Sequence, residues 1–473
     1  WSSDVCSSDL VPNVRASQWM EENIPLFECS QKNFEEMYYY RWWTLRKHIK
    51  ETPVGYGMTE FLVNRSYADK YNLIACAIGH HIYESRWLRN PEYLNQIIHT
   101  WYRGNEGGPM AKMTKFSSWN ADAVLGRYMV DGNKEFLLDM VKDLEAEYAR
   151  WEKTNRLSNG LYWQGDVQDG MEESISGGRR KQYARPTINS YMYGNAKALS
   201  LIGIMTGDEG MAMKYGLKAD SIKTLVQDKL WNTDHHFFET MRGDASAEVR
   251  EAIGYIPWYF NLPDASSQYD VAWKEVMDEK GFSAPYGLTT AERRHPEFRT
   301  HGVGKCEWDG AIWPFASAQT LTAMANFMNN YPQTVLTDSV YFHQMERYVE
   351  SQHHRGRPYI GEYLDEVTGY WLKGDQERSR YYNHSTFNDL MITGLIGLRP
   401  RMDNTVEVNP LIPEGKWDYF CLDNVLYHGR NLTILWDKDG SRYQRGKGLH
   451  IYVDGKEVGH ADTLTRVLCE NVL

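Results

Sequence analysis

The sequence predicts a mainly α-helical chain: twelve helices paired as six hairpins and closed into an (α/α)6 toroid, followed by a small C-terminal β-sandwich. Two observations carry this expectation. Twelve segments between residues 31 and 397 read as helix, with Gly, Pro and Asn punctuating the gaps. After about residue 400 the texture changes to alternating apolar residues and tight-turn dipeptides. A chain of 473 residues accommodates one large domain with an appendage.

The helical segments run in order 31–51, 67–89, 91–102, 117–131 and 134–152. In the last, Leu137, Met140, Val141, Leu144, Tyr148 and Trp151 recur at helical spacing. Next come 188–207 and 209–230, where Tyr215, Ala219, Ile222 and Val226 recur in the same way. The series closes with 247–260, 268–279, 309–329, 336–354 and 384–397. Spacing and loop length vary too much for a short-repeat solenoid. Six hairpins that close into a ring put alternate helices inside. One mouth is then lined by the loops before the second, fourth, sixth, eighth, tenth and twelfth helices. Beyond Arg399-Pro400, Thr405-Val406-Glu407-Val408-Asn409-Pro410 alternates. Asn431-Leu432-Thr433-Ile434-Leu435-Trp436 runs into Asp437-Lys438-Asp439-Gly440, and Leu449-His450-Ile451-Tyr452-Val453 runs into Asp454-Gly455, a hairpin signal. The expected domains are therefore a catalytic toroid over 11–400 and a β-sandwich over 401–473.

Residues 1–10, Trp-Ser-Ser-Asp-Val-Cys-Ser-Ser-Asp-Leu, read as a translated sequencing-adapter end and are set aside. The natural N-terminus is then expected to be missing, so the lack of a signal peptide says nothing about localisation, and a periplasmic or secreted setting stays open. Without Asp4 and Asp9 the formal charge of −11 becomes −9. That balance argues against nucleic acid as a partner. No apolar run approaches the roughly 18 residues of a membrane helix. The remaining cysteines, Cys29, Cys76, Cys306, Cys421 and Cys469, form no CxxC pair, so neither zinc nor redox chemistry is implied. Gly104-Asn105-Glu106-Gly107-Gly108 lacks the Lys and Ser/Thr of a phosphate loop. No cofactor and no metal is expected, and the oligomeric state is not legible.

Two loops carry the chemistry. Tyr162-Trp163-Gln164-Gly165-Asp166-Val167-Gln168-Asp169-Gly170-Met171-Glu172-Glu173-Ser174 puts four carboxylates within eight positions behind a Trp, between two helices. Aromatic residues stack on sugar faces, and carboxylates do acid and base work at a glycosidic bond. Before the twelfth helix, Pro358-Tyr359-Ile360-Gly361-Glu362-Tyr363-Leu364-Asp365-Glu366-Val367-Thr368-Gly369-Tyr370-Trp371 repeats the combination. In the toroid both loops open onto one mouth. Two carboxyls across a pocket are what glycoside hydrolysis needs, one protonated and one ionised.

At these residues the chain resembles the six-hairpin glycosidases, closest to the mannosylglycerate-hydrolase-like and processing α-glucosidase I group. Four segments carry the resemblance. Gly170-Met171-Glu172-Glu173-Ser174 is similar to an acid loop Gly-Met-Asp-Asn-Ser-Pro. Thr187-Ile188-Asn189-Ser190-Tyr191-Met192-Tyr193 is similar to a helix start Asp-Leu-Asn-Ala-Tyr-Leu-Tyr. Trp308-Asp309-Gly310-Ala311-Ile312-Trp313 is similar to Trp-Arg-Gly-Pro-Ile-Trp. Glu362-Tyr363-Leu364-Asp365-Glu366-Val367-Thr368-Gly369 is similar to the base loop Glu-Asn-Tyr-Asn-Pro-x-Thr-Gly. The C-terminal module resembles the β module of α-L-rhamnosidase-type enzymes. The resemblance implies Glu172 as general acid and Glu362 as general base of an inverting, exo-acting hydrolase on a plant or microbial polysaccharide or oligosaccharide. The acid position here carries Glu in place of Asp, and Asp169 remains a rival. Asp309 replaces an Arg, so the family's substrates are not carried over; glucosidase, mannosidase, rhamnosidase and arabinofuranosidase specificities all stay open.

Substrate contacts are expected from Asp166, Asp309, Arg185 and Asn189, and stacking walls from Trp119, Trp163, Trp308, Trp313 and Trp371. Each has a structural alternative: a helix-start acid for Asp309, an ion pair with a loop acid for Arg185, core packing for the Trp residues. His384 is the best-placed His near the base loop; the vicinal His80-His81 is a poor metal site. Two other functions stay open: a sugar isomerase or epimerase that relies on His80, His301 and His384, and a non-catalytic sugar-binding fragment.

Overall fold

The computed structural model describes residues 10–473; most of the adapter-like segment lies outside the described residues. Helices dominate up to residue 395, and strands from 398 onward.

The long helices follow their apolar stripes. Lys134–Asn155 buries Leu137, Met140, Leu144, Tyr148 and Trp151, and the Asn133 side chain caps it by accepting from the Phe136 amide. Pro186–Thr206 starts on Pro186 and stops at Gly207, which takes a left-handed φ of 73°. Asp208 at once caps the next helix, Glu209–Lys229, by accepting from Met211 N. The two helices form a tight hairpin. A Cβ on Gly203 would lie 2.5 Å from Ala212 N, so only glycine permits this approach.

Packing between alternate helices runs in a cycle. Ile78–Ser85 touches Asn120–Asp131, which touches Pro186–Thr206, which touches Ile256–Tyr259. That segment touches Pro314–Asn330, which touches Asn388–Leu390, which returns to Ile78–Ser85. Lys134–Asn155, Glu209–Lys229 and Asp338–Ser351 pack outside it. Where the cycle closes, the buried Glu84 carboxylate accepts from the amides of Phe387 (3.1 Å), Asn388 (2.9 Å) and Asp389 (3.0 Å). Arg86 pairs with Asp389 at 2.8 Å, and Trp87 Nε1 donates to Asp389 at 2.7 Å.

Several expected helices are shorter than the sequence pattern suggests. The expected 67–89 helix is a loop up to 74, and the α-helix proper is Ile78–Ser85. Tyr71 and Asn72 take left-handed φ values of 61° and 60°. The Asn72 side chain donates to the carbonyls of Phe61 and Val63 and accepts from Arg65 N, local bonds that compete with a helix. Only 252–259 of the expected 247–260 helix forms, as a 3-10 turn running into Ile256–Tyr259. The expected 309–329 helix starts at Pro314, because Ile312 first pairs with Leu364 as an isolated bridge. The twelfth segment is reduced to Asn388–Leu390 and a π-turn, Met391–Leu395.

The C-terminal part forms an antiparallel five-stranded sheet and a three-stranded one. The larger runs, in spatial order, Leu26–Cys29, Tyr419–Tyr427, Arg430–Asp437, Gly448–Val453 and Lys456–Ala461. The Asp454-Gly455 turn has φ of 47° and 76°, as a tight hairpin requires. The smaller sheet orders Leu398–Arg399, Val406–Val408 and Val467–Cys469. Leu26–Cys29, not foreseen as a strand, pairs with the C-terminal Tyr419–Tyr427. Trp417 locks the sheet onto the helices: its ring packs on Phe34 (5.3 Å) and Phe342 (5.8 Å), and its Nε1 donates to Gln31 at 3.1 Å.

Candidate active site

The loop ahead of Pro186–Thr206 folds around one buried cation. Trp163–Gln164 pairs with Tyr183–Ala184, and the intervening residues wrap Arg185. Arg185 Nε donates to Asp169 Oδ2 at 2.7 Å, and its Nη atoms reach the hydroxyls of Ser176 and Ser174 at 3.3 Å. Asp169 also accepts from the hydroxyls of Ser117 and Thr187, so both its oxygens are engaged. Asn189 is equally committed: it donates to Tyr162 O and Arg185 O and accepts from Tyr162 N, each at 2.8 Å. Asp166 is buried, with Oδ1 accepting from Val167 N at 2.8 Å.

On this scaffold stands Glu172. No ion pair reaches it among the described residues, whereas its neighbour Glu173 holds Arg179 at 2.9 Å. Burial raises the Glu172 carboxyl to about 7, and the nearby negative charges of Glu362 and Asp166 push the same way.

Glu362 meets the opposite environment. Arg378 lies 2.8 Å and Lys373 3.6 Å from its Oε2, and its amide donates to Ser379 Oγ at 3.2 Å. Its loop is docked by the mutual backbone bonds of Ile312 and Leu364, both 3.0 Å. Tyr363 stacks on Trp313 at 4.5 Å, and Trp313 stacks on Trp308 at 4.5 Å, which ties the loop before Pro314–Asn330 to the Glu362 loop.

A third carboxyl joins these two. Glu60 lies in the loop ahead of Ile78–Ser85, where Tyr382 donates its hydroxyl to Glu60 Oε1. Burial, with some help from the charges of Glu362 and Glu172, raises it to about 8. Cys76 and Cys306 also sense Glu172, and burial raises both thiols, Cys306 to about 12. The sequence reading missed Glu60, Lys373 and Arg378. Two signals were available: Glu60 stands between Gly55-Tyr56-Gly57 and Phe61, ahead of the second helix, and Lys373 directly follows the Tyr370-Trp371-Leu372 of the Glu362 loop.

The other expected contacts are mostly interior. Trp119 and Trp371 are fully buried, the first against Tyr191 at 4.7 Å, the second donating to Ser351 O (3.1 Å) and His353 O (3.0 Å). Trp308 and Trp313 are buried in the ring stack, which leaves Trp163, half-buried, as the one Trp of the five with an accessible face. Asp309 precedes its helix rather than starting it. Its Oδ2 accepts from the amides of His301 (2.6 Å) and Gly302 (2.9 Å) and so clamps that loop. His384 is buried with its ring 3.9 Å from that of Tyr382, edge-on. Burial lowers its pKa well below the ordinary imidazole range. Among the described residues no group of three or more His, Cys, Asp or Glu is placed to hold a metal ion, and no helix is long and apolar enough to cross a membrane.

Residues 70–385 match the family model for the mannosylglycerate hydrolase MGH1-like glycoside hydrolase domain, and residues 398–460 match that for the C-terminal domain of glycosyl hydrolase family 65. Among solved structures, one named as a sialidase is 83% identical over the whole of this chain, with a TM-score of 0.99; the chain spans 44% of that protein. A GH63 mannosylglycerate hydrolase from Thermus thermophilus, in complex with glucose, is 11% identical with a TM-score of 0.58, over 75% of this chain and 99% of its own. A GH78 family rhamnosidase of Bacillus sp. GL1 is 10% identical with a TM-score of 0.60, over 87% of this chain and 40% of its own. The last two likenesses concern the fold.

Proposed function

Since the chain belongs to the MGH1-like glycoside hydrolase family, we propose that it cleaves O-glycosidic bonds with inversion, Glu172 being the general acid and Glu362 the general base. One observation carries this reading: two carboxyls close enough to sense each other sit in opposite environments. Glu172 makes no ion pair among the described residues and is raised to about 7, chiefly by burial, so it holds a proton near neutrality. Glu362 is ion-paired with Arg378 and Lys373. Glu172 gives its proton to the leaving oxygen, while Glu362 takes one from a water attacking the opposite face of the sugar. Such a pair stands roughly 6.5–9.5 Å apart in inverting enzymes, which leaves room for that water. Asp169, the rival acid, has both oxygens occupied and a cation beside it, which supports Glu172 over it.

The architecture that goes with this reading is a six-hairpin (α/α)6 toroid over 11–400 and a β-sandwich over 401–473. The cycle of contacts among alternate helical segments supports the toroid. The substrate in this reading is the non-reducing end of an oligosaccharide or polysaccharide; the names of the similar structures make mannosides, rhamnosides and sialosides the first candidates. A second reading, isomerisation of a free sugar, draws on His80 and His384, whose ring nitrogens are buried without partners among the described residues. A panel of nitrophenyl glycosides (α-glucoside, α-mannoside, α-rhamnoside and both arabinofuranosides), followed by proton NMR, tests the proposal. Initial release of the inverted anomer supports it. Release of the retained anomer, or exchange of carbon-bound protons with heavy water and no hydrolysis, refutes it.

A further inference from the structure

We propose that Glu60 is a substrate-binding residue of this site: its free carboxyl oxygen bonds a hydroxyl of the sugar being released. The inference rests on the reading of the Glu172–Glu362 pocket above.

The Glu60 backbone is fixed from the neighbouring segment, where the helical cycle closes. Asn383 N donates to Glu60 O at 3.0 Å, and Asn383 Nδ2 donates to Thr59 O at 3.1 Å. Tyr382 occupies Oε1. Oε2 is buried, yet has no partner among the described residues. A bare buried carboxyl oxygen costs free energy, so a fold that keeps one has a use for it.

Its neighbours repeat the pattern. His384 packs on Tyr382 and lies 5.8 Å from Phe315; His80 lies 4.5 Å from Phe315. All four ring nitrogens of these two histidines are buried without partners among the described residues. Unmet donors and acceptors thus gather beside the carboxyl pair. A polyhydroxylated ring supplies many such partners at once; an apolar ligand supplies none.

With Oε1 accepting from Tyr382, a protonated Glu60 donates from Oε2, and at neutral pH burial keeps it in that form.

The test compares wild type with Glu60→Ala and Glu60→Gln on the glycoside of the panel that wild type cleaves, and on its monodeoxy analogues. For the parent sugar, kcat/KM is expected to fall about 10- to 100-fold in Glu60→Ala. One monodeoxy analogue, lacking the contacted hydroxyl, is expected to be cleaved equally by both proteins. Equal losses on the parent and every analogue, or full activity in Glu60→Ala, overturns the proposal. Glu60→Gln, whose amide nitrogen can donate to the same hydroxyl, is expected to keep most of the parent activity; where thermal melting shows Glu60→Ala unfolded, Glu60→Met, which keeps the length but cannot make that bond, carries the same comparison. If wild type cleaves no panel member, the hydrolase reading fails separately. The same sugars are then titrated as free monosaccharides by calorimetry: binding by wild type that Glu60→Ala loses supports the role of Glu60, while binding retained in the variant, or absent in wild type, overturns it.

Discussion

Arg185 Nε lies 2.7 Å from Asp169 Oδ2, and neither side chain retains any exposed surface. Cutting such a pair leaves a charge buried alone. Asp169→Asn is expected to cost about 3–5 kcal/mol of unfolding free energy, read from denaturant melts. Because the same Arg185 holds Ser174 and Ser176, the loop that presents Glu172 loosens too, and activity falls with stability. A variant with unaltered melting would mean that the pair is dispensable.

Glu172→Gln removes the proposed proton donor. For a nitrophenyl glycoside, kcat is expected to drop about 10²- to 10⁴-fold. A dinitrophenyl leaving group needs little protonation, so most of that loss should vanish with it. Glu362→Gln should be equally slow on both substrates, since attack of water depends on the base. The same leaving-group dependence in the two variants would contradict the assigned roles.

The rate should fall as pH rises through about 7, because Glu172 then loses the proton it must give. A kcat profile with its alkaline limb near that value is expected. Glu172→Gln should lack the limb.

Stability carries its own pH signature. The Glu60 carboxyl titrates at about 8 in the folded chain, well above an ordinary glutamate. The folded state therefore binds more protons than the unfolded one between those two values, and stability is lost as pH rises across that window. Glu60→Gln cannot ionise. Its melting temperature should match wild type near pH 5 and exceed it at pH 9; a constant difference at both would count against the burial of this carboxyl.

Glu84 receives three amides where the helical cycle closes. Glu84→Ala strands those donors and is expected to destabilise by about 3–5 kcal/mol, with hydrogen exchange rising first over 386–390. Exchange unchanged there would show that the closure rests on packing alone.

The sequence made the long amphipathic helices legible, because their apolar stripes and caps are local: Asn133, Gly207 and Asp208 all act within a turn of their own position. The Glu172 and Glu362 loops stood out for the same reason, each announced by nearby glycine and aromatic residues. What escaped was relational. Glu60 gains its meaning only when Tyr382 and Asn383, more than 300 positions away, fold against it. Trp119 and Trp371 look like stacking walls until their partners bury them. Asn189 and the Oδ2 of Asp309 carry the polarity of sugar contacts but spend it on backbone amides and carbonyls, a choice that depends on which loop folds back onto them.

Leu26 pairs with Asp423 and Cys29 with Phe420, so a strand ahead of the helices finds its partner only after all of them. During synthesis that strand emerges with nothing to bind until Tyr419–Tyr427 follows it. The helices between can pack as they appear, but the five-stranded sheet cannot be finished early, and contacts this distant in sequence slow folding. Until then Leu26–Cys29 is an unpaired edge open to other chains. Synthesis of this protein therefore has a vulnerable interval, which ends only when Tyr419–Tyr427 is made.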